Sequence, residues 1–187
     1  MTPDEFRDRW CDDEDEELVL FSADALAGIS IPEESREFLT SSGLPESAAP
    51  FLGFGTSGRH LLPSVADAWN KNTEFRRYRE IGNNDSGDTV CLDEAENGQV
   101  VFLNHDLNFK RVLMNSSIPA LAESLVAYRQ LVRDTQERNG EDAWLDGDVP
   151  DDLKEWLIGE LKRIDPVVIQ PDCFWGEAIE NLQEERA

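Results

Sequence analysis

The chain has 187 residues, in which 40 aspartates and glutamates outnumber 17 lysines and arginines, giving a formal net charge of −23. This charge disfavours direct contact with nucleic acid phosphates or anionic membranes, because both need clustered positive charge. It suits a basic protein partner drawn in by the long-range field, and equally a role in solubility or adaptation to high salt. No apolar run approaches the ~20 residues that span a bilayer. With an acidic N-terminus unlike a signal peptide, the sequence predicts one cytoplasmic protein domain.

The cysteines and histidines predict neither a disulfide framework nor a metal site. Cys11, Cys91 and Cys173 are odd in number and far apart in sequence. His60 and His105 are not spaced with cysteine or glutamate in any zinc pattern. The sequence also lacks a nucleophile-elbow or Walker motif. We therefore expect no cofactor, no metal and no catalytic residue, and so a binding protein instead of an enzyme.

Residues 1–30 are predicted to form an acidic N-terminal extension, made of a helix followed by a loop of acidic residues. Phe6 and Trp10 are four residues apart and would share one face of that helix. Asp12–Glu17 is an unbroken run of six acids, which is typical of a solvated loop and can also attract a basic partner. Residues 31–187 are then predicted to form a single domain.

A glycine pattern opens an alternative reading of the chain as a nucleotide-binding protein. Gly53, Gly55 and Gly58 spell G-x-G-x-x-G, a spacing that can hold a pyrophosphate at a helix N-terminus. Only Phe51 and Leu52 precede it as strand, and no parallel strand–helix–strand pattern surrounds it. We interpret the pattern as a glycine-rich loop that ends an edge strand.

The stretch after residue 87 predicts three consecutive antiparallel strands. The first spans Asp88–Asp93, and the pair Asn97–Gly98 then suits a hairpin turn, because both residues tolerate positive φ. The second, Gln99–Asn104, is apolar on both faces and is therefore predicted to be central. The third spans Phe109–Met114.

A long amphipathic helix follows the third strand. Asn115–Ser117 end the strand and suit a helix N-cap. Leu121, Leu125 and Tyr128 then recur at steps of three and four, so this apolar stripe must lie on the sheet. The sequence therefore predicts an α+β fold with a twisted, mainly antiparallel sheet and flanking helices.

Basic residues are concentrated in one further predicted strand, Phe75–Gly82. Arg76, Arg77 and Arg79 are expected to pair with the surplus carboxylates, at about 0–1 kcal/mol for each exposed pair. Two C-terminal helices are also predicted. The first is capped by Asp151 or Asp152.

At this point the order of elements resembles a known family, the SUKH superfamily of bacterial immunity proteins, and within it the fourth numbered immunity family. The resemblance covers roughly Ile31 to Leu182, and its most specific part is the Asn-Ser-Ser junction. The matching segments are Tyr78–Gly82, Val90–Asp93, Asn97–Val100, Val112–Ile118, Leu121, Leu125, Tyr128 and Cys173–Trp175.

The resemblance implies a single α+β domain that acts as an antidote. Such proteins are typically encoded beside polymorphic toxins, and they bind and block the toxin domain. The toxins are often nucleases or deaminases and tend to be basic, which fits the acidic composition. The matching residues are turn, cap and core positions, so the resemblance transfers no binding site. We expect a monomer or weak dimer and, from the negative charge, direct contact with neither nucleic acid nor membrane.

We expect acidic residues beside exposed aromatic side chains to bind the partner, and we choose them in loops because partners reach loops most easily. The candidates are Asp13, Glu14, Asp15, Asp142, Trp144, Asp146 and Asp148. Two alternatives remain open: a regulatory or scaffold protein of the same fold with an endogenous partner, and a nucleotide-binding enzyme built on the Gly53–Gly58 loop.

Overall fold

A six-stranded antiparallel sheet forms the centre of the computed structural model, which describes residues 1–12, 17–55 and 62–184. The helices are α1 Pro3–Trp10, α2 Glu33–Ser41, α3 Val65–Ala68, α4 Ile118–Asn139, α5 Asp151–Ile164 and α6 Phe174–Glu184. The strands are β1 Leu18–Val19, β2 Leu44–Pro45, β3 Ser47–Ala48, β4 Leu52–Phe54, β5 Tyr78–Asn84, β6 Thr89–Asp93, β7 Gln99–Asn104 and β8 Lys110–Asn115.

The strands of the sheet follow one another in chain order from β3 to β8, and every neighbouring pair is antiparallel. β1 and β2 form a separate two-stranded sheet. Between β6 and β7, Asn97 and Gly98 adopt the left-handed conformation, with φ of 54° and 74°. The α+β fold with an antiparallel sheet and flanking helices is thus confirmed, as is the turn chemistry of the Asn-Gly pair.

The start of α4 follows the predicted capping. The hydroxyl of Ser117 accepts a hydrogen bond from the Ala120 amide at 3.2 Å, and a proline occupies the first turn. Leu121, Leu125 and Tyr128 are buried, so the apolar stripe packs into the main core as expected.

The sheet is covered on both faces, since every residue of β6 and the four central residues of β7 are buried. The main core lies between the sheet and the five longer helices, and it includes Val90 and Phe102. A second, smaller core contains Cys91 and Val101 and is closed by α3 and a short 3₁₀ helix, Thr73–Arg77. Burial raises the pKa of the Cys91 thiol far above its ordinary value, so this cysteine is a neutral core residue.

Two predicted boundaries are wrong. The strand expected from Phe75 begins at Tyr78, and the residues before it form the 3₁₀ helix. Phe75 and Tyr78 are three residues apart, so a 3₁₀ turn brings both rings to the second core, with their centroids 6.1 Å apart. At the start of α5, Pro150 holds the N-cap position in place of Asp151 or Asp152.

The N-terminal helix contributes to the main core. Phe6 and Trp10 are buried within it, as their spacing predicts, and Phe6 contacts the ring of Phe38 in α2. The division of the chain at residue 30 stays a prediction. None of the described helices is both long enough and apolar enough to cross a membrane.

Candidate partner-binding cleft

A cleft of about 520 Å³ opens where one end of the sheet meets α4, α6 and the loop between α4 and α5. Its apolar lining is Pro50, Phe51, Phe102, Tyr128, Trp144, Leu145, Phe174, Ala178 and Leu182. Its polar lining is Asn84, Ser86, Asp88, Asn104, Glu177 and Asn181. The volume lies within the range of known ligand pockets, which mix an apolar lining with a few polar groups in the same way.

Aromatic rings form most of the apolar wall of the cleft. The ring of Trp144 lies 5.5 Å from that of Phe51 and 6.3 Å from that of Tyr128, measured between centroids. Phe102 and Phe174 make a further edge-to-face pair at 5.9 Å. These contacts fix the rings in place, since tilted and edge-on aromatic pairs stabilise one another.

Phe51 is held in an unusual backbone conformation at the rim of the cleft. Its φ is +58°, a region that a residue with a bulky side chain rarely occupies. Its carbonyl accepts a hydrogen bond from the Asp85 amide at 3.1 Å, and its side chain is 54% exposed. Strained residues of this kind cluster at binding sites, so the conformation is a reason to regard the cleft as functional.

The loop of residues 140–150, which we call the acidic loop, is well anchored. Ala143 and Val149 are buried, and the Ala143 carbonyl accepts a hydrogen bond from the Asp148 amide at 2.8 Å. The side-chain amide of Asn139 donates to the Asp148 carboxylate at 3.0 Å. The anchored backbone therefore presents its exposed side chains from a defined position next to the cleft.

Asp88 supplies an oriented carboxylate on the polar side of the cleft. Its side chain is almost completely buried, and one of its oxygens, Oδ1, lies 2.8 Å from both the backbone nitrogen and Nδ1 of His105. Its other oxygen, Oδ2, accepts a hydrogen bond from the Asn84 side-chain amide at 3.2 Å. His105 lies in the turn between β7 and β8, is half-buried and holds this carboxylate in place.

The charge of the cleft is negative. Asp88 and Glu177 contribute carboxylates, and none of the described lining residues is a lysine or an arginine. Asp142 and Asp146 add two exposed carboxylates on the acidic loop. An aromatic wall beside carboxylates that face no lysine or arginine in the described lining is chemically suited to a cationic, partly apolar ligand.

The structure brings some of the predicted partner-binding residues together. Trp144 lines the cleft, and Asp142, Asp146 and Asp148 are exposed on the acidic loop that carries it. Asp13, Glu14 and Asp15 lie outside the described residues. Partner binding by all seven stays a prediction.

Sequence reasoning missed most of the cleft. Phe51, Asp88, Phe174 and Glu177 come from three separate segments, the last two from α6, and none of them was predicted to bind a partner. The one usable signal was Trp144, a large aromatic residue inside a polar loop.

The glycine pattern does not have the geometry of a phosphate-binding loop. Gly53 lies inside β4, paired on one side with Ser47 and on the other with Asn83, both antiparallel. A dinucleotide site needs its first glycine in the turn from a strand into a helix. Gly58 lies outside the described residues. Within the described ranges, no group of histidine, cysteine, aspartate and glutamate side chains could hold a metal ion.

A mixed α+β domain with an antiparallel meander and an aromatic, acidic cleft has the features of a protein-binding module. The family model of the SUKH-4 immunity protein matches residues 9–181, and the chain therefore belongs to the SUKH-4 immunity protein family. The match begins well before Ile31, so the family pattern includes part of the segment predicted to be an extension. A search of curated proteins and a search of solved structures each found no match. The family assigns the chain the role of an immunity protein, whose partner is a cognate toxin protein.

Proposed function

We propose that this immunity protein neutralises a basic toxin domain by one-to-one binding at the cleft and the acidic loop. The observation that carries the proposal is the cleft itself, in which aromatic rings and carboxylates share one opening beside Asp142 and Asp146. Interfaces draw most of their affinity from a few aromatic anchors that lie near their centre. Trp144, Phe51 and Leu145 are placed to serve as these anchors.

The charge of the molecule supports a basic partner. With a net charge of −23, the chain attracts a cationic domain over long distances and repels nucleic acid. A toxin that acts on nucleic acid, such as a nuclease or a deaminase, needs a positive surface for its own substrate. An acidic inhibitor can therefore cover that surface and compete directly with the substrate.

The acidic loop offers a direct test of this proposal. We expect the double substitution Asp142→Lys and Asp146→Lys to slow association with the toxin by about tenfold or more at low salt, because removing steering charges acts mainly on the association rate. The difference should shrink at higher salt, where exposed charges are screened. Stopped-flow mixing at a low and a higher salt concentration measures the association rate of the variant and of the parent protein under each condition. Asp148 is left unchanged, since its carboxylate also holds Asn139.

The matched control reverses two acids elsewhere on the surface. Glu34 and Glu37 are exposed on α2, and neither lines the cleft, so Glu34→Lys with Glu37→Lys changes the net charge equally. We expect this control variant to slow association with the toxin much less than the Asp142→Lys and Asp146→Lys variant does. Equal slowing by both double variants would show that only the total charge matters, and no slowing by the first would remove the acidic loop from the interface.

A further inference from the structure

We infer that the cleft is a receptor for one arginine side chain of the toxin, which enters between the aromatic wall and the carboxylates. This inference names the chemistry that the partner presents, and it rests on the binding function proposed above. Arginine fits better than lysine because its flat guanidinium can stack on a ring and pair with two carboxylate oxygens at the same time.

The aromatic wall provides the stacking surface. Trp144 is half-buried and Phe51 is 54% exposed, so part of each ring remains open to a ligand although the two rings touch each other. A guanidinium over an aromatic face is attracted by the negative charge density of the ring, and tryptophan is the strongest partner for this contact. Leu145, which is 61% exposed, extends the apolar surface for the methylene stem or for a neighbouring residue of the toxin.

The carboxylates provide the charge that an arginine would neutralise. Asp88 is buried and fixed by His105 and Asn84, while Glu177 is exposed on α6 across the same opening. A carboxylate has about four acceptor sites, and the Oδ2 atom of Asp88 uses one of its own in a hydrogen bond of 3.2 Å. Acceptor capacity therefore remains for an incoming donor.

No described cation of the protein already occupies this position. Among the described lining residues there is neither lysine nor arginine, although many carboxylates elsewhere in the described chain are paired with arginines, including Asp12, Asp93 and Asp152. The cleft thus keeps negative charge and open rings together, with the His105 imidazole and the Asn84 amide holding only Asp88. At about 520 Å³ it exceeds the needs of one side chain, so apolar neighbours of the arginine would fill the rest.

The test uses two small probes that differ in charge and share their shape. N-acetyl-arginine N-methylamide carries the guanidinium, and N-acetyl-citrulline N-methylamide replaces it with a neutral urea. Each probe is titrated into the full-length protein while the indole N–H resonance of Trp144 is followed by NMR, assigned through its loss in Trp144→Phe. We expect a saturable shift with the arginine probe and a binding at least tenfold weaker with the citrulline probe.

Two variants of α6 locate the site. Glu177 lines the cleft and Glu180 is exposed on the same helix without lining it, so Glu177→Gln and Glu180→Gln make the same charge change. We expect Glu177→Gln to weaken the arginine probe by about twofold to fivefold, the loss of one exposed ion pair, and Glu180→Gln to leave it unchanged. Both positions are on the surface, so neither variant endangers folding.

The inference is overturned if the arginine probe fails to shift Trp144, if citrulline binds equally well, or if the two glutamine variants behave alike. Toxin binding by the same proteins separates this failure from that of the proposed function. If the toxin binds and the probe does not, the arginine receptor is wrong and the binding function stands. If the probe binds and the toxin does not, the cleft recognises arginine but the binding function is wrong.

Discussion

Asn115, the first residue of the Asn-Ser-Ser junction, joins three elements through its side-chain amide. Its Nδ2 donates to the Ser124 hydroxyl in α4 at 3.1 Å, and its Oδ1 accepts from the indole nitrogen of Trp175 in α6 at 2.8 Å. All three side chains are buried. The sequence predicts the junction as the end of a strand and the cap of a helix. Trp175 lies 60 residues further along the chain, so no local sequence pattern predicts its hydrogen bond with Asn115.

We predict that Asn115→Leu lowers the free energy of unfolding by about 2–6 kcal/mol. Leucine has the same number and branching of heavy side-chain atoms as asparagine, but it leaves the Trp175 N–H and the Ser124 hydroxyl without their partner, at about 1–3 kcal/mol for each buried polar group. Urea unfolding measures the change.

The adjacent serine gives the matched control for Asn115. Ser116 is exposed, and its backbone amide, which donates to Asp165 at 2.7 Å, survives substitution by alanine. Ser116→Ala should stay within about 0.5 kcal/mol of the parent protein. In a protein that already carries Trp175→Phe, Asn115→Leu should lower the free energy of unfolding clearly less than it does in the parent protein. Additive effects of the two substitutions would contradict a shared hydrogen bond.

The pairing of arginines with carboxylates was predictable, while the burial of one partner was not. Asp93 is fully buried and accepts hydrogen bonds from Arg77 at 2.6 and 2.7 Å and from Arg111 at 3.1 Å. This contact raises the pKa of Arg77 above its ordinary value. Arg79 pairs with Glu94 in the same region. The alternation of side chains along residues 75–82 does not predict that Asp93, on the neighbouring strand β6, is buried.

At the scale of elements, the end of α1 is tied to α4 by ion pairs. The Asp12 carboxylate accepts hydrogen bonds from Arg133 at 2.6 Å and from Arg129 at 2.7 Å. These two guanidinium groups lower the pKa of Asp12 below its ordinary value of 3.8. Because the pKa of Asp12 is lower in the folded state than in the unfolded state, its ionised form stabilises the fold at any pH above the ordinary pKa. This stabilisation is lost as the pH falls from the ordinary pKa through the lowered pKa of the folded state.

We predict that Asp12→Asn destabilises the protein at neutral pH, and that the difference from the parent protein narrows as the pH falls below the ordinary value of 3.8. Denaturant unfolding over a series of pH values measures the difference. Asp8→Asn, an exposed substitution on the same helix, should have little effect at any of them. A difference for Asp12→Asn that stays constant or grows with acidity would contradict this assignment.

Elements with strong local signals were predicted best. α4 has a serine cap, a proline in its first turn and a regular apolar stripe, and it starts at Ile118 as expected. β7 is apolar on both faces and lies inside the sheet. The predicted start of β5 was too early. The alternation that suggested a strand includes Phe75 and Tyr78, which are three residues apart, and a 3₁₀ turn also places residues at this spacing on the same side.

At the scale of the molecule, the cleft could not be predicted, because it is formed by segments that are distant in the sequence. Phe51, Asp88, Phe102, Trp144 and Phe174 meet only after the sheet has folded and α6 has packed across it. The acidic composition pointed to a basic partner, and the acidic loop was a candidate because it combines acidic residues with an aromatic side chain. Composition indicates what kind of surface the partner presents, while only the tertiary structure locates the contact.

The most direct test of the account is a titration of toxin activity with this protein. The cognate toxin domain would be held at a fixed concentration well above the dissociation constant, and its residual activity measured as the immunity protein is added. We predict a linear loss of activity that ends at one molecule of immunity protein per toxin. The variant with Asp142→Lys and Asp146→Lys should need an excess at low toxin concentration. Full toxin activity in the presence of excess immunity protein would contradict neutralisation by binding.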